Sequence, residues 1–192
     1  FNFYYNNPVS TREQLDKLEK NYDAVFIGIG LGKTSRINIS GENLENCFGA
    51  VEFVEELRTN HHKVKIGERV IVLGGGNTAM DAASESCRMG AESVIIAYRR
   101  SREEMGAYNF EYDLAKNVGA KGLFNVTPLE IIDDGNGKVK GIKFIRNKSS
   151  DGKITNISGD EFIEECDRVI LATGQSKQVE FLEMIENLEC LD

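Results

Sequence analysis

The chain has 192 residues, 41% of them hydrophobic and 28% charged, an ordinary balance for a folded globular protein. That length accommodates one full domain and part of a second. A formal charge of −8 leaves no basic face for nucleic acid. No apolar run approaches the ~20 residues needed to span a bilayer, so a membrane is not an expected partner either. No signal peptide is expected from the residues at Phe1 onward, and the absence of an initiator Met reads as a fragment or processed product. Cys47, Cys87, Cys166 and Cys190 are scattered without a C-x-x-C pair. This excludes a redox disulfide of that spacing and clustered iron–sulfur ligation, and fits inert thiols in a reducing cytoplasm. His61-His62 has no neighbouring Cys or third His and is not expected to bind metal.

In chain order, Phe1 to Asn7 is aromatic without a period, and Ser10 to Lys20 predicts a short capped helix. Tyr22 to Ile29 reads as a buried strand ending in a glycine-rich turn, and Gly41 to Phe48 as an irregular polar connection. Ala50 to Leu57 has helical spacing and leads through a linker, Arg58 to Gly67, to the strand Val70 to Leu73 and the amphipathic helix Ala79 to Met89. A second buried strand, Ser93 to Tyr98, ends in Arg99-Arg100. Tyr108 to Val118 is expected to be helical, with Phe110, Leu114 and Val118 on its apolar face, and Lys121 to Phe124 a short strand. The pattern then changes. Leu129 to Asp133 and Val139 to Arg146 flank the turn Asp134-Gly135-Asn136-Gly137, a hairpin signature. A third strand, Lys153 to Ile157, with a continuation at Glu161 to Ile163, completes a meander standing where a crossover helix would be. Arg168 to Ala172 is again a buried parallel strand, ending in Thr173-Gly174.

The stretch RVIVLGGGNTAMDAA, Arg69 to Ala83, carries the chemistry. Gly74, Gly76 and Ala79 fill a G-x-G-x-x-A pattern between a strand and a helix. Gly74 permits the tight turn, Gly76 lets backbone approach a pyrophosphate, and Ala79 lets the helix pack closely on its strand. The helix start then offers unpaired N–H groups and a positive dipole end. A plain strand-turn-helix is the alternative. At the end of the second strand, where an acidic residue would hold a ribose, stand Arg99 and Arg100. Their guanidinium groups favour a 2′-phosphate, hence NADPH over NADH, the alternative being a solvated strand edge. The adjacent pairs Glu55-Glu56 and Glu103-Glu104 read as solvated carboxylates. Tyr112 and Lys116 match the bare Tyr-x-x-x-Lys spacing of short-chain dehydrogenases, but on a helix preceding the meander.

YDAVFIGIG, VIVLGGGNTAMDAA, VIIAYRRSREEM and RVILATGQ occur in this order, and the chain resembles flavoproteins with two dinucleotide-binding domains. Within them it is most similar to the glutamate synthase small chain and to the electron-input subunit of NAD(P)-dependent dihydropyrimidine dehydrogenase. GLGKTSRINISGENL and YRRSREEMGAYNFEYDLAKNVGAK lean to the latter. The likeness runs from about Tyr22 to about Gln175. It implies a Rossmann-like parallel sheet with a three-stranded antiparallel meander. This NAD(P)H domain, residues 49–166, would be inserted between FAD-domain segments 1–48 and 167–192. By matching positions, Gly75, Gly76, Asn77 and Thr78 would face the pyrophosphate, and Arg99 and Arg100 the adenosine ribose or its phosphate. Ala172, Thr173 and Gly174 would lie near the nicotinamide or the flavin. Asn77 stands where some relatives have Asp. The family's FAD fingerprint and later Gly-Asp motif are not in the chain, so FAD is expected in an intact protein with its missing segments and an iron–sulfur or FMN partner. No general acid or base is implied. The competing reading is a nucleotide-binding sensor or interaction domain.

Overall fold

The computed structural model describes residues 1–60, 64–150, 152–186 and 188. His61, His62 and Cys190 lie outside them. In chain order the elements are α1 (Arg12–Asn21), β1 (Cys47–Gly49), α2 (Ala50–Asn60), β2 (Arg69–Leu73), α3 (Asn77–Arg88), β3 (Ser93–Tyr98), α4 (Asn109–Asn117), β4 (Lys121–Phe124), β5 (Val126–Asp133), β6 (Val139–Ser150), β7 (Lys153–Glu165), β8 (Arg168–Leu171) and α5 (Val179–Leu182). Contacts divide the chain into two compact units, Lys33–Gln175 and a smaller one of Phe1–Gly32 with Ser176–Asp192.

In the smaller unit α1 begins at a capping box. Thr11 Oγ1 accepts from the Gln14 N–H, and the Gln14 side chain accepts from the Thr11 N–H. Leu15 is its buried residue, and Arg12 donates to the Met184 carbonyl. Tyr22 to Ile29 is not the expected strand. It is irregular, and Phe26 is 94% exposed. An apolar run becomes a buried strand only when neighbouring strands satisfy its N–H and C=O groups, and none among the described residues pairs with it.

The larger unit has three layers. Its centre is a parallel sheet of order β1-β8-β2-β3-β4. The strand β1 overlaps the end of the segment expected to be irregular, Gly41 to Phe48, pairing Cys47 to Val169 and Gly49 to Leu171. Side chains alternate across the sheet. Val70, Val72, Val94, Ile96 and Ile170 face α2, α3 and α4, where Phe53, Met80 and Ala115 fill the core. Ile71, Leu73, Ala97, Val169 and Leu171 face the second sheet, β5-β6-β7, and pack on Val126, Ile142 and Phe144. Both faces are covered, as an all-parallel sheet requires. The meander thus takes the place of a helix between β4 and β8, as the hairpin pattern predicted, and β6 and β7 run longer than expected. At the far end of the sheet the Asp167 carboxylate accepts from the N–H groups of Glu68 and Arg69, setting β8 beside β2.

On α4 the expectation is overturned. Phe110, Leu114 and Val118 are exposed, at 59%, 48% and 38%, while Tyr112 and Ala115 are buried against α3. The helix is turned so that Ala115 and the Tyr112 ring meet α3.

Candidate functional site

The carboxyl ends of β2 and β8 lie side by side, while from β2 the chain runs away to β3 and β4 on one flank and returns through the meander to β8 on the other. Ligands of open α/β sheets sit at such a switch point. A cavity of about 550 Å³ opens there. Gly74, Gly75 and Gly76 line it, with Tyr98, Arg99 and Arg100 from the end of β3 and Ala172 and Thr173 from the end of β8. The structure therefore brings three separated sequence motifs to one cleft.

Each glycine has a distinct reason. Gly74 has φ +153°, and a Cβ there would strike the Ala172 carbonyl, so the turn passes directly against the end of β8. A Cβ on Gly75 would meet the Tyr98 ring at 2.5 Å. Gly76 caps α3 with extended backbone, and a Cβ there would point into open space. The first turn of α3 holds no acidic residue. The N–H groups of Gly76, Asn77 and Thr78 donate no hydrogen bond among the described residues. Such a helix start, free of side-chain cap and counter-charge, suits an anion.

Asn77, Thr78, Ala79 and Gly174 do not line the cavity. Ala79 is fully buried in the helix–sheet interface, where a small residue permits close approach. Asn77 Oδ1 accepts from the Tyr108 N–H at 3.0 Å, and the Gly75 carbonyl accepts from Ala107 N–H at 2.9 Å. The glycine turn is thereby tied to the loop after β3. Gly174 has φ +104°, and its carbonyl accepts from the Ser35 N–H, while Thr173 Oγ1 donates to the Ser35 carbonyl at 2.7 Å.

The basic residues divide by commitment. Arg102 donates to Asn109 Oδ1 and stacks 4.2 Å over the Tyr112 ring. Arg99 is exposed and makes no ion pair among the described residues. Arg100 likewise has no carboxylate bridge; its charge is favoured by a hydrogen bond with Tyr98, then by the nearby Glu104 carboxylate.

The sequence did not disclose four further lining residues, Ile37, Ile39, Thr127 and Pro128. The alternation Ile37-x-Ile39 was the one local signal. Ser40 bridges to Glu130 in parallel, carrying the segment alongside β5. Thr34 anchors its start: its Oγ1 donates to Glu52 at 2.7 Å, and its N–H to the same carboxylate. Burial acts to raise the Glu52 pKa, but these hydrogen bonds together hold it below the ordinary carboxylate value. Glu104 was also missed. Its Oε1 accepts from Ser149 Oγ at 2.7 Å and its Oε2 from the Ser101 N–H, so it is tied in place at the surface. These bonds, Ser149 first, hold its pKa below the ordinary range.

A doubly wound parallel sheet with a glycine turn, a bare helix start and two arginines free of salt bridges in one cleft defines a dinucleotide-binding class of protein. A family model, pyridine nucleotide-disulphide oxidoreductase, matches residues 5–191, and the chain belongs to that family. It is 36% identical over 188 residues to the glutamate synthase [NADPH] small chain of Escherichia coli, covering 90% of this chain and 40% of that protein. It is 36% identical over 187 residues to the NADP(+)-dependent formate dehydrogenase subunit beta of Moorella thermoacetica, covering 93% of this chain and 26% of that one. The chain therefore spans well under half the length of these relatives. Among solved structures, Mycobacterium tuberculosis FprA in complex with NADPH shares the fold, with a TM-score of 0.65 and 21% identity over 83% of this chain and 52% of FprA. The fold is thus that of flavoproteins with two dinucleotide-binding domains. No helix among the described residues is long and apolar enough to cross a membrane.

Proposed function

We propose that the chain is the NADPH-binding part of a flavin-dependent oxidoreductase that passes reducing equivalents to a partner. The observation that carries this is the junction of Arg99 and Arg100 with the bare start of α3 around one cavity. Gly75, Gly76, Asn77 and Thr78 present backbone N–H groups to the pyrophosphate. Arg99 and Arg100 form the fork for the 2′-phosphate. Ala172, Thr173 and Gly174 direct the nicotinamide end towards the β8 side of the cleft. When bound, nicotinamide and flavin supply the hydride chemistry between them; the chain supplies position and charge.

In this reading residues 49–166 are the NAD(P)H domain, and residues 1–48 and 167–192 belong with an FAD-binding part. The unit boundaries at Gly32 and Ser176 would then lie inside those flanking segments. FAD resides in the intact protein, and an iron–sulfur or FMN partner receives the electrons, for glutamate synthesis or pyrimidine reduction. The names of the relatives, an NADPH glutamate synthase chain and an NADP(+)-dependent formate dehydrogenase subunit, support NADPH as the donor. Free thiols at Cys47, Cys87 and Cys166 fit a reducing, cytoplasmic setting.

Titrating the 192-residue chain with NADPH and NADH, followed by nicotinamide fluorescence, tests the reading. The expected result is tighter NADPH binding, lost by about 10- to 100-fold in an Arg99→Ala/Arg100→Ala variant, with NADH little changed. Equal affinities in the parent chain overturn the 2′-phosphate assignment, and binding of neither overturns the site.

A further inference from the structure

Between β3 and α4 the chain must place Arg99 and Arg100 at the cleft, yet residues 99–108 contain no regular element apart from turns. Loops with few ties sample many conformations, and an arginine fork works only if its backbone is held. Three of the ties converge on one residue. Glu104 Oε2 accepts from the Ser101 N–H at 3.2 Å, and Oε1 from Ser149 Oγ at 2.7 Å. Its main-chain carbonyl accepts from Tyr98 Oη at 3.1 Å. Ser149 belongs to β6, 45 residues away and in the other sheet, so this is the tie that reaches out of the loop into the meander. The loop's other fastenings, Ala107 to Gly75 and Tyr108 to Asn77, hold its far end to the glycine turn. Arg100 is held between: its carbonyl accepts from the Asn125 N–H, and its guanidinium lies near Tyr98 and Glu104.

We infer that Glu104, pinned by Ser149, is a positioning residue that sets coenzyme selectivity by fixing the loop that carries Arg100. The inference rests on the NADPH reading above and deepens it. Glu104 touches no phosphate itself. A negative charge near Arg100 would, by Coulomb attraction alone, oppose binding of a second anion there. Its worth must therefore lie in geometry, and this gives the two roles opposite signatures. If Glu104 acts as a pin, cutting the pin while keeping the charge weakens recognition of the 2′-phosphate. If it acts only as a competing charge, removing the charge strengthens it.

The test compares the full chain with Ser149→Ala and Glu104→Ala, using 2′,5′-ADP and 5′-AMP as probes in calorimetric titrations. Ser149→Ala keeps the charge and removes the cross-sheet tie; it is expected to weaken 2′,5′-ADP binding about fivefold and leave 5′-AMP unchanged. Glu104→Ala is expected to do the same or more. Thermal unfolding of both variants checks folding, and Ser149→Thr, which keeps the hydroxyl, is expected to restore the ratio. An unchanged 2′,5′-ADP to 5′-AMP ratio in Ser149→Ala, or tighter 2′,5′-ADP in Glu104→Ala, overturns the pin while leaving the NADPH reading intact. Equal binding of the two probes by the parent chain overturns both.

Discussion

Gly74 and Gly76 sit two residues apart in one motif, but the fold asks different things of them. Gly74 combines φ +153° with contact against the Ala172 carbonyl, so any side chain there opposes the backbone of β8. Gly76 has φ −98°, ordinary for any residue, and free space beyond its Cα. Gly74→Ala is therefore expected to lower unfolding free energy by about 1–3 kcal/mol, from strain and overpacking together. Gly76→Ala is expected to leave urea unfolding within about 0.5 kcal/mol of the parent while weakening NADPH binding, because the methyl stands where a phosphate would approach. Chemical denaturation beside ligand titration separates the two, and equal loss of stability in both variants would contradict the distinct roles.

At the scale of elements, α4 shows what periodicity leaves open. Its sequence carries two possible apolar stripes, Phe110-Leu114-Val118 and Tyr112-Ala115, and period alone favours the bulkier. The helix buries the second, because α3 presents the flat surface Ala79, Ala82 and Ala83 to its neighbours. Tyr112 is further fixed by Arg102 above its ring and by Phe124 at 6.0 Å. Tyr112→Ala is expected to destabilise by about 3 kcal/mol or more. Leu114→Ser, on the exposed face, should change stability by no more than about 0.5 kcal/mol. Urea midpoints of the two variants decide which face is buried. The meander was legible by contrast, because Asp133 and Asp134 build its turn locally, accepting from the N–H groups of Gly135, Asn136, Gly137 and Lys138.

For the molecule as a whole, the meander-side core contains two thiols, Cys47 on β1 and Cys166 at the entry to β8. Burial, above all, pushes Cys47 to about 11 and Cys166 to about 12, against an ordinary 9.0. A group whose pKa is raised by folding stabilises fully below its unfolded pKa. That contribution is lost as pH climbs from about 9 through 11–12, since the unfolded thiols ionise first. The parent chain is thus expected to lose more stability between pH 8 and about 10.5 than a Cys47→Ala/Cys166→Ala variant. Urea titrations at both pH values measure this, and identical losses would mean that the thiols are not buried as neutral groups. Iodoacetamide at pH 8 should likewise reach the half-buried Cys87 first among these three, although its pKa too is raised by burial.

By itself the sequence determined the features whose causes are local: the glycine turn between strand and helix, the arginine pair ending β3, the hairpin chemistry of the meander, and the family resemblance these carry in order. Each depends on residues within a few positions of one another, so backbone sterics and period suffice to read it. Only the tertiary structure decided which candidates meet. It gave the three-residue β1 its place beside β8, left Tyr22 to Ile29 unpaired among the described residues, and turned α4 onto the face of Tyr112 and Ala115. It brought Ile37 and Ile39 to the same cavity as the glycines and joined Glu104 to Ser149. Those outcomes turn on partners dozens of residues apart, and on burial that no window of sequence contains. The same strand-like run is a core strand when its hydrogen-bonding groups find neighbours, and an exposed segment when they do not.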